Sequence, residues 1–197
     1  MERKLKPIYV QQHLQAKGVR LFSPSEFQRV FGASLRAAQE FIKDHCDDLF
    51  FKVRNGLYAL RIDTPADEII ANRLYAPSYI SFEYALSRHG IIPESVYTIT
   101  SATTRVTRKF VVNDKSFTYS HIKKQAYRGY ITEQIGGMTV LMAEPEKALV
   151  DYLYFVNLKR KTLNERLAIR KLKKKFVLEY AKLFSRKSLI KLVKEIL

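Results

Sequence analysis

The dipeptide Asn55-Gly56 lies between two runs of β-forming residues in the segment 49–62, LFFKVRNGLYALRI. An Asn-Gly pair in this setting is the strongest short-range signal for a tight β-hairpin, because both residues tolerate the positive φ angles that a two-residue turn requires. Helix signals precede this hairpin and no further strand is indicated before it. The first third of the chain is therefore predicted to be a small α+β domain.

Three helices are predicted ahead of the hairpin. The first covers residues 8–17 and ends at Gly18. The second begins with Ser23 as its N-cap, has Pro24 at its first position, and has Glu26 in place to complete an S-x-x-E capping box. Local signals thus define the ends of both helices.

The third helix is predicted to begin at Ser34, in the segment SLRAAQEFIKDHC. Its apolar residues recur with the 3.6-residue period of an α-helix, and polar residues occupy the opposite side. The apolar set is Leu35, Ala38, Phe41 and Ile42, and the set opposite to it is Arg36, Ala37, Glu40, Lys43 and Asp44.

Three short helices followed by a hairpin is the order of a winged helix-turn-helix, in which the third helix enters the major groove of DNA and the hairpin reaches the flanking backbone. We predict such a DNA-binding domain over residues 1–65. A small α+β domain that docks onto a protein has the same element order, and fold alone does not determine function.

Positive charge is concentrated at the end of the chain. The net charge is +16 over 197 residues, and residues 156–197 contain 14 Lys and Arg against three Asp and Glu, a net charge of +11. This asymmetry indicates a polyanionic partner, with nucleic acid the first candidate and an anionic membrane surface the second. A solvated basic face without a partner is the alternative.

Composition excludes several classes of protein. One cysteine, Cys46, allows neither an internal disulfide nor a multi-thiolate zinc site. No phosphate-binding glycine motif occurs, and the four histidines are too far apart to form a local metal site. No cofactor or metal is therefore expected. No signal peptide or membrane-length apolar run is present, which predicts a soluble, cytoplasmic protein without a membrane partner.

A second domain is predicted over residues 66–197, after the break at residues 64–67. A linking helix comes first, followed by a core helix in the segment SYISFEYALSRHG with Ser78 or Ser81 as its cap. Four or five antiparallel strands are then expected between residues 95 and 142. Helices follow, including one in the segment TLNERLAIRKLKKKF at residues 162–176, and they form a basic helical tail. The whole chain is thus expected to be an α+β protein.

The segment 143–155, AEPEKALVDYLYF, allows two interpretations. Glu144 and Glu146 could be metal ligands of a nuclease-like enzyme that the first domain directs to DNA. They could instead be the acidic start of an ordinary helix, where negative charge is favourable. In that case Lys147 and Asp151, four residues apart, form an exposed ion pair. Local physics favours the helix start, because the acids would diverge around a helix.

Four segments in this order resemble the AbiEi family, the antitoxins of type IV abortive-infection toxin-antitoxin systems. They are YISFEYALSRHGIIPE (79–94), VYTITSATTRVTRKF (96–110), SFTYSHI (116–122) and AEPEKALVDYLY (143–154). Members of that family have an N-terminal winged helix. The resemblance implies a cytoplasmic prokaryotic protein without catalytic activity, which binds repeats in the promoter of its own operon and represses transcription. It also implies that the protein counteracts a nucleotidyltransferase-like toxin in phage defence, without a stable complex with that toxin.

The expected DNA contacts follow from this reading. Residues of the third helix are candidates for the groove, hairpin residues for the flanking backbone, and cations of the second domain for non-specific affinity. The groove candidates are Ser34, Arg36, Glu40 and Lys43, and the candidates for the flanking backbone are Lys52, Arg54 and Asn55. The candidates for non-specific affinity are Arg105, Arg108, Lys109, Lys159, Arg160, Lys161, Arg170, Lys171, Lys173, Lys174 and Lys175. A third possibility is an adaptor whose basic tail holds an acidic protein or RNA.

Overall fold

The computed structural model describes residues 5–197, so the first four residues of the predicted domain 1–65 lie outside the described residues. The chain divides into two compact units, Met1–Ile70 and Ala71–Leu197. The described residues form eight α-helices and two β-sheets. The predicted α+β class is confirmed.

The first unit combines three helices with a three-stranded antiparallel sheet in the order β1-β3-β2. Strand β1 was not predicted, because two residues are too short to show an alternating pattern. The elements are α1 (Pro7–Ala16), β1 (Leu21–Phe22), α2 (Pro24–Phe31), α3 (Leu35–Asp44), β2 (Phe50–Arg54) and β3 (Leu57–Leu60).

The helix ends lie where the capping residues predicted them. The Ser23 hydroxyl accepts from the Glu26 backbone N–H at 3.2 Å, and the Glu26 carboxylate accepts from the Ser23 N–H at 2.7 Å, so the capping box is complete. Gly32 ends α2 in the left-handed conformation, with φ of 63°. Ser34 caps α3 by accepting from the Ala37 N–H at 3.2 Å. These bonds satisfy donors that a helix start otherwise leaves unpaired.

Phenylalanine side chains fill the core of the first unit. Phe27 is fully buried, and its ring lies 4.5 to 6.2 Å, between centroids, from four other phenylalanine rings, Phe22, Phe31, Phe41 and Phe50. Ala38 and Ile42 of α3 belong to the same core. Leu35, predicted on the buried face, is 41% exposed because it lies in the first turn of α3, at the edge of the packed surface.

The second unit contains the second half of α4 and a six-stranded sheet in the order β6-β7-β5-β4-β9-β8. Helices α5, α6, α7 and α8 pack together, with α6 in contact with each of the other three. The elements are α4 (Asp67–Leu74), β4 (Ser78–Ile80), α5 (Phe82–Arg88), β5 (Ile99–Thr103), β6 (Arg108–Val112), β7 (Lys115–His121), β8 (Tyr130–Ile135), β9 (Met138–Ala143), α6 (Pro145–Asn157), α7 (Lys174–Lys182) and α8 (Lys187–Ile196).

The expectation of a purely antiparallel sheet is wrong, because the sheet is mixed. Strand β4 pairs in parallel with β9, and β5 pairs in parallel with β7. Ser78, predicted as a possible helix cap, lies in β4, and α5 begins after Ser81. Three residues of strand directly before a helix carry too little periodicity to be recognised.

The predicted helix at residues 162–176 is also wrong, since α7 begins only at Lys174. The preceding segment is irregular apart from a 3₁₀ turn at Ile169–Lys171. Its backbone finds distant partners instead: the Asn164 N–H donates to the Tyr152 hydroxyl at 2.9 Å, and the Ala168 N–H donates to the Ile91 carbonyl at 2.8 Å. These long-range bonds replace the hydrogen bonds of a helix.

Candidate functional site

The predicted groove contacts lie on the exposed side of α3, opposite the buried residues Ala38 and Ile42. Burial of those two side chains against the phenylalanine core fixes which face of the helix meets solvent. The predicted residues on that face or at the helix start are exposed: Ser34, Arg36, Glu40 and Lys43.

Arg36 and Glu40 form an ion pair across one turn of α3. Arg36 Nε donates to Glu40 Oε1 at 2.9 Å, and the side chains are 88% and 62% exposed. This hydrogen bond raises the pKa of Arg36 above its ordinary value. An exposed pair of this kind is weak, so Arg36 can leave Glu40 for a stronger partner at small cost.

The hairpin tip is the second exposed polar region of the first unit. Lys52 and Arg54 are exposed residues of β2, and they alternate with the buried Phe51 and Val53. Arg54 donates to the carbonyl of Asn55 at 2.9 Å, which holds its guanidinium at the turn. The alternation directs both cations away from the core.

In the second unit, two of the predicted cations lie close to one tyrosine ring. The Arg105 guanidinium carbon lies 4.4 Å from the centroid of Tyr75, and that of Arg108 lies 5.9 Å from it. Arg105 also donates to the Ala76 carbonyl at 3.0 Å. Lys109 is exposed on the edge strand β6. Cation–π contact thus orders the two arginines while leaving them exposed.

The predicted cations of residues 156–197 differ in how far they are engaged within the protein. Lys161 is half-buried and forms an ion pair with Glu83. The Lys174 ammonium donates to the main-chain oxygen of Leu197, and the Lys173 ammonium lies 5.5 Å from the Phe176 ring. Lys173 and Lys174 are nevertheless exposed, as are Lys159, Arg160, Arg170, Lys171 and Lys175.

The acids that a nuclease-like site would need are bonded to other parts of the second unit. Glu144 accepts from the Tyr180 hydroxyl. Glu146 is buried and accepts from the Lys173 backbone N–H at 3.0 Å. Among the described residues, no group of three or more His, Cys, Asp or Glu is arranged to hold a metal ion.

The predicted exposed ion pair of α6 is wrong, because Lys147 and Asp151 are both completely buried. Asp151 Oδ1 accepts from Lys147, and Oδ2 accepts from the hydroxyls of Tyr79 at 2.9 Å and Ser81 at 2.8 Å. The Lys147 ammonium also lies 5.1 Å from the centroid of the Phe184 ring. Helix α6 is covered on all sides, so its polar pair lies in the core.

Sequence reasoning identified the spacing of this pair but missed its two hydroxyl partners, which lie 72 and 70 residues away from Asp151. Burial lowers the pKa of Lys147, and the neighbouring Asp151 carboxylate opposes this effect. Burial also raises the pKa of Tyr79 far above its ordinary value, and the negative charge of Asp151 adds to that shift. Every charged atom of the network is therefore held in place by a neutralising or hydrogen-bonding partner.

Buried tyrosines predict that the protein loses stability in alkali. Burial raises the pKa of Tyr79 and Tyr119 well above 10, and that of Tyr127 to about 12. Above pH 10 these phenols ionise in the unfolded chain but stay protonated in the folded one. The free energy of unfolding should therefore be insensitive to these groups below pH 10 and fall above it, by about 1.4 kcal/mol per pH unit for each of the buried phenols of Tyr79 and Tyr119 and by less for the partly exposed Tyr127.

Urea unfolding at pH 8, 10 and 11 measures this fall. Tyr119→Phe removes one titrating phenol and should make the fall shallower, whereas Tyr97→Phe, at a side chain that is 81% exposed, should leave it unchanged. Lys147 does not contribute to the fall, since a lowered lysine pKa makes stability rise with pH. Equal stability at pH 8 and 11 would contradict the assignment.

Comparison with known proteins gives no identification. The chain matches no protein-family model, and no curated protein is significantly similar to it. Within residues 5–197, no helix has the length and apolar character needed to cross a membrane.

Proposed function

We propose that the first unit is a winged helix-turn-helix that binds double-stranded DNA, with α3 in the major groove and the β2–β3 hairpin as the wing. One observation carries this proposal: α3 is anchored by Ala38 and Ile42 while its opposite side presents Arg36, Glu40 and Lys43 to solvent. A helix with this division can enter a groove without disturbing the core beneath it.

The geometry also supports separate roles for the two cationic regions of the unit. Arg36 lies near the start of α3, where recognition helices contact base edges, and an arginine fits the acceptors of guanine. Glu40, its partner in the free protein, can accept from a cytosine amino group. Lys52 and Arg54 at the hairpin meet phosphates, as does Ser34.

At the level of biology, we propose an antitoxin of the AbiEi kind. In this proposal the protein binds promoter repeats of its own operon, represses transcription, and counteracts a nucleotidyltransferase-like toxin without a stable complex. The support is the order of the motif segments at residues 79–94, 96–110, 116–122 and 143–154. No catalytic role is assigned to Glu144 or Glu146, since each carboxylate is held by a partner within its own unit.

Single substitutions on the first unit test the DNA-binding proposal. Arg36→Ala should weaken binding to the upstream DNA about tenfold and leave binding to scrambled DNA unchanged, because it removes a base contact. Arg54→Ala should weaken binding to both DNAs and reduce the slope of log K against log salt by about 0.9, because it removes one phosphate contact. Fluorescence anisotropy measures both quantities.

Lys17→Ala is the matched control, because Lys17 is an exposed cation just past the end of α1 and outside both proposed contact regions. It removes the same charge and should change neither affinity by more than about twofold. If Arg36→Ala and Arg54→Ala, like Lys17→Ala, left the affinity for both DNAs unchanged, α3 and the hairpin would not be the DNA-binding surface.

A further inference from the structure

The second unit contains a cavity of about 720 Å³ between the end of α5, the start of α6 and the irregular segment before α7. This volume lies in the range of small-molecule sites. The cavity brings together parts of two motif segments, His89-Gly90-Ile91 and Pro145-Glu146, to which the DNA-binding proposal assigns no role. It lies wholly within the second unit.

Two lining residues on the α5–α6 side carry hydrogen-bonding side chains, Glu146 and His89. Glu146 is 9% exposed, and its Oε1 accepts from the Lys173 N–H. Its other oxygen, Oε2, has no hydrogen-bond partner among the described residues. This oxygen is not fully enclosed by protein atoms, and Glu146 lines the cavity, so we take Oε2 to be accessible from it. His89 Nε2 lies 2.8 Å from the Ala143 carbonyl, which can only accept, so Nε2 carries a proton and neutral His89 has Nδ1 as an acceptor.

The irregular segment before α7 contributes apolar and cationic residues to the lining. Leu167, Ile169 and Leu172 of the irregular segment line the cavity together with Ile91, and the Ala168 N–H bonds this segment to the Ile91 carbonyl. Arg170 and Lys171, from the 3₁₀ turn of the same segment, are exposed, and neither has an acidic partner in the described part of the chain. The cavity lining therefore combines hydrogen-bond acceptors, apolar side chains and positive charge without an acidic partner.

A ligand that matches this lining has hydrogen-bond donors, a flat apolar body and an anionic group. We propose that the cavity binds a nucleotide with an amino-bearing base, whose donors meet Glu146 Oε2 and His89 Nδ1 and whose phosphate meets Arg170 and Lys171. The phosphate is assigned to Arg170 and Lys171 because the Glu146 carboxylate would repel it. The same chemistry is available from a free nucleotide and from the terminal nucleotide of a single strand.

Isothermal titration of the full chain with AMP, GMP, CMP and UMP tests the proposal. The three nucleotides with an amino group should bind at least about tenfold more tightly than UMP, because both atoms proposed to meet the base are acceptors. Adenosine should bind more weakly than AMP, because it has no phosphate. Short single strands ending in adenosine, with and without a terminal phosphate, distinguish a strand end from a free nucleotide.

Two variants test the two ends of the cavity. Arg170→Ala combined with Lys171→Ala should weaken AMP binding about tenfold and leave adenosine binding unchanged, while Lys175→Ala combined with Lys182→Ala, at exposed positions on α7 outside the cavity, should change neither. Glu146→Gln should weaken AMP and adenosine alike by about tenfold. Thermal unfolding checks that the Glu146→Gln variant is folded. If it is not, the double variant Arg170→Ala, Lys171→Ala still tests the proposal.

Equal affinity for UMP and CMP would overturn the proposal, as would affinity for all four nucleotides no greater than for inorganic phosphate. Loss of AMP binding in the α7 control to the same extent as in the cavity variant would also overturn it, since general positive charge would then explain the binding. None of these results bears on binding of duplex DNA by the first unit, so the two proposals fail independently.

Discussion

Replacing Lys147 by methionine should lower the free energy of unfolding by about 3–5 kcal/mol. Methionine has a similar length, so the main change is the loss of the ammonium group and not of volume. Asp151 would then be buried with only the Tyr79 and Ser81 hydroxyls as partners. A buried carboxylate without its cation must either remain charged in an apolar core or take up a proton, and both lower stability.

The double variant Lys147→Met, Asp151→Asn identifies the unpaired charge as the cause. Asparagine is neutral and its side-chain oxygen can still accept from both hydroxyls, so at least half of the lost stability should return. The matched control is Lys191→Met, which breaks an exposed pair with Glu195 of the same i, i+4 spacing and should cost no more than about 0.5 kcal/mol. Urea unfolding measures all three variants. A loss below about 1 kcal/mol for Lys147→Met would show that the pair is not buried as described.

Phe27→Ala should destabilise the first unit by about 3–5 kcal/mol. The Phe27 ring is fully buried and packs against four other phenylalanine rings, so its removal leaves a cavity that rigid aromatic neighbours cannot fill. Loss of this ring should also release α3, because Phe41 of α3 stacks on it at 5.7 Å between centroids. DNA binding should therefore fall together with stability.

Leu35→Ala provides the comparison on the same helix. Leu35 is 41% exposed, so its truncation removes little buried surface and should cost less than about 1 kcal/mol. Urea unfolding followed by circular dichroism measures the difference between the two variants. Equal effects of the two substitutions would contradict the described packing of α3.

The features that sequence predicted best are those specified by neighbouring residues. The capping box of Ser23 and Glu26 involves two residues three positions apart, and the β2–β3 turn depends on Asn55 and Gly56 alone. Such signals act before any tertiary contact forms, so they remain visible in a single sequence. The helix starts at Ser23 and Ser34 and the hairpin were predicted correctly for this reason.

The features that were missed depend on distant partners. Spacing alone places Lys147 beside Asp151 but indicates a solvent-facing pair unless hydroxyls such as that of Tyr79 arrive from another strand. Likewise, the segment before α7 has helical composition, yet its backbone bonds to Tyr152 and Ile91. The parallel pairing of β4 with β9 joins strands about 60 residues apart, and no local pattern records such a partner.

The candidate site was predictable to a similar extent. Helical periodicity placed Arg36 and Lys43 on the exposed side of α3, as the structure has them. Charge counting could not distinguish Lys161, which pairs with Glu83, from Lys175, which is exposed. Composition measures how many cations a segment has, whereas their availability depends on the tertiary structure.

The most direct test of the proposed function is the affinity of the purified protein for the DNA upstream of its own gene, compared with scrambled DNA of equal length, by fluorescence anisotropy across a salt series. We expect a preference of at least roughly 10³ for the upstream sequence, which lies in the lower range of specific DNA-binding proteins. Equal affinity for both sequences, with a steep dependence on salt, would contradict the proposal. It would mean that the +11 charge of residues 156–197 dominates binding.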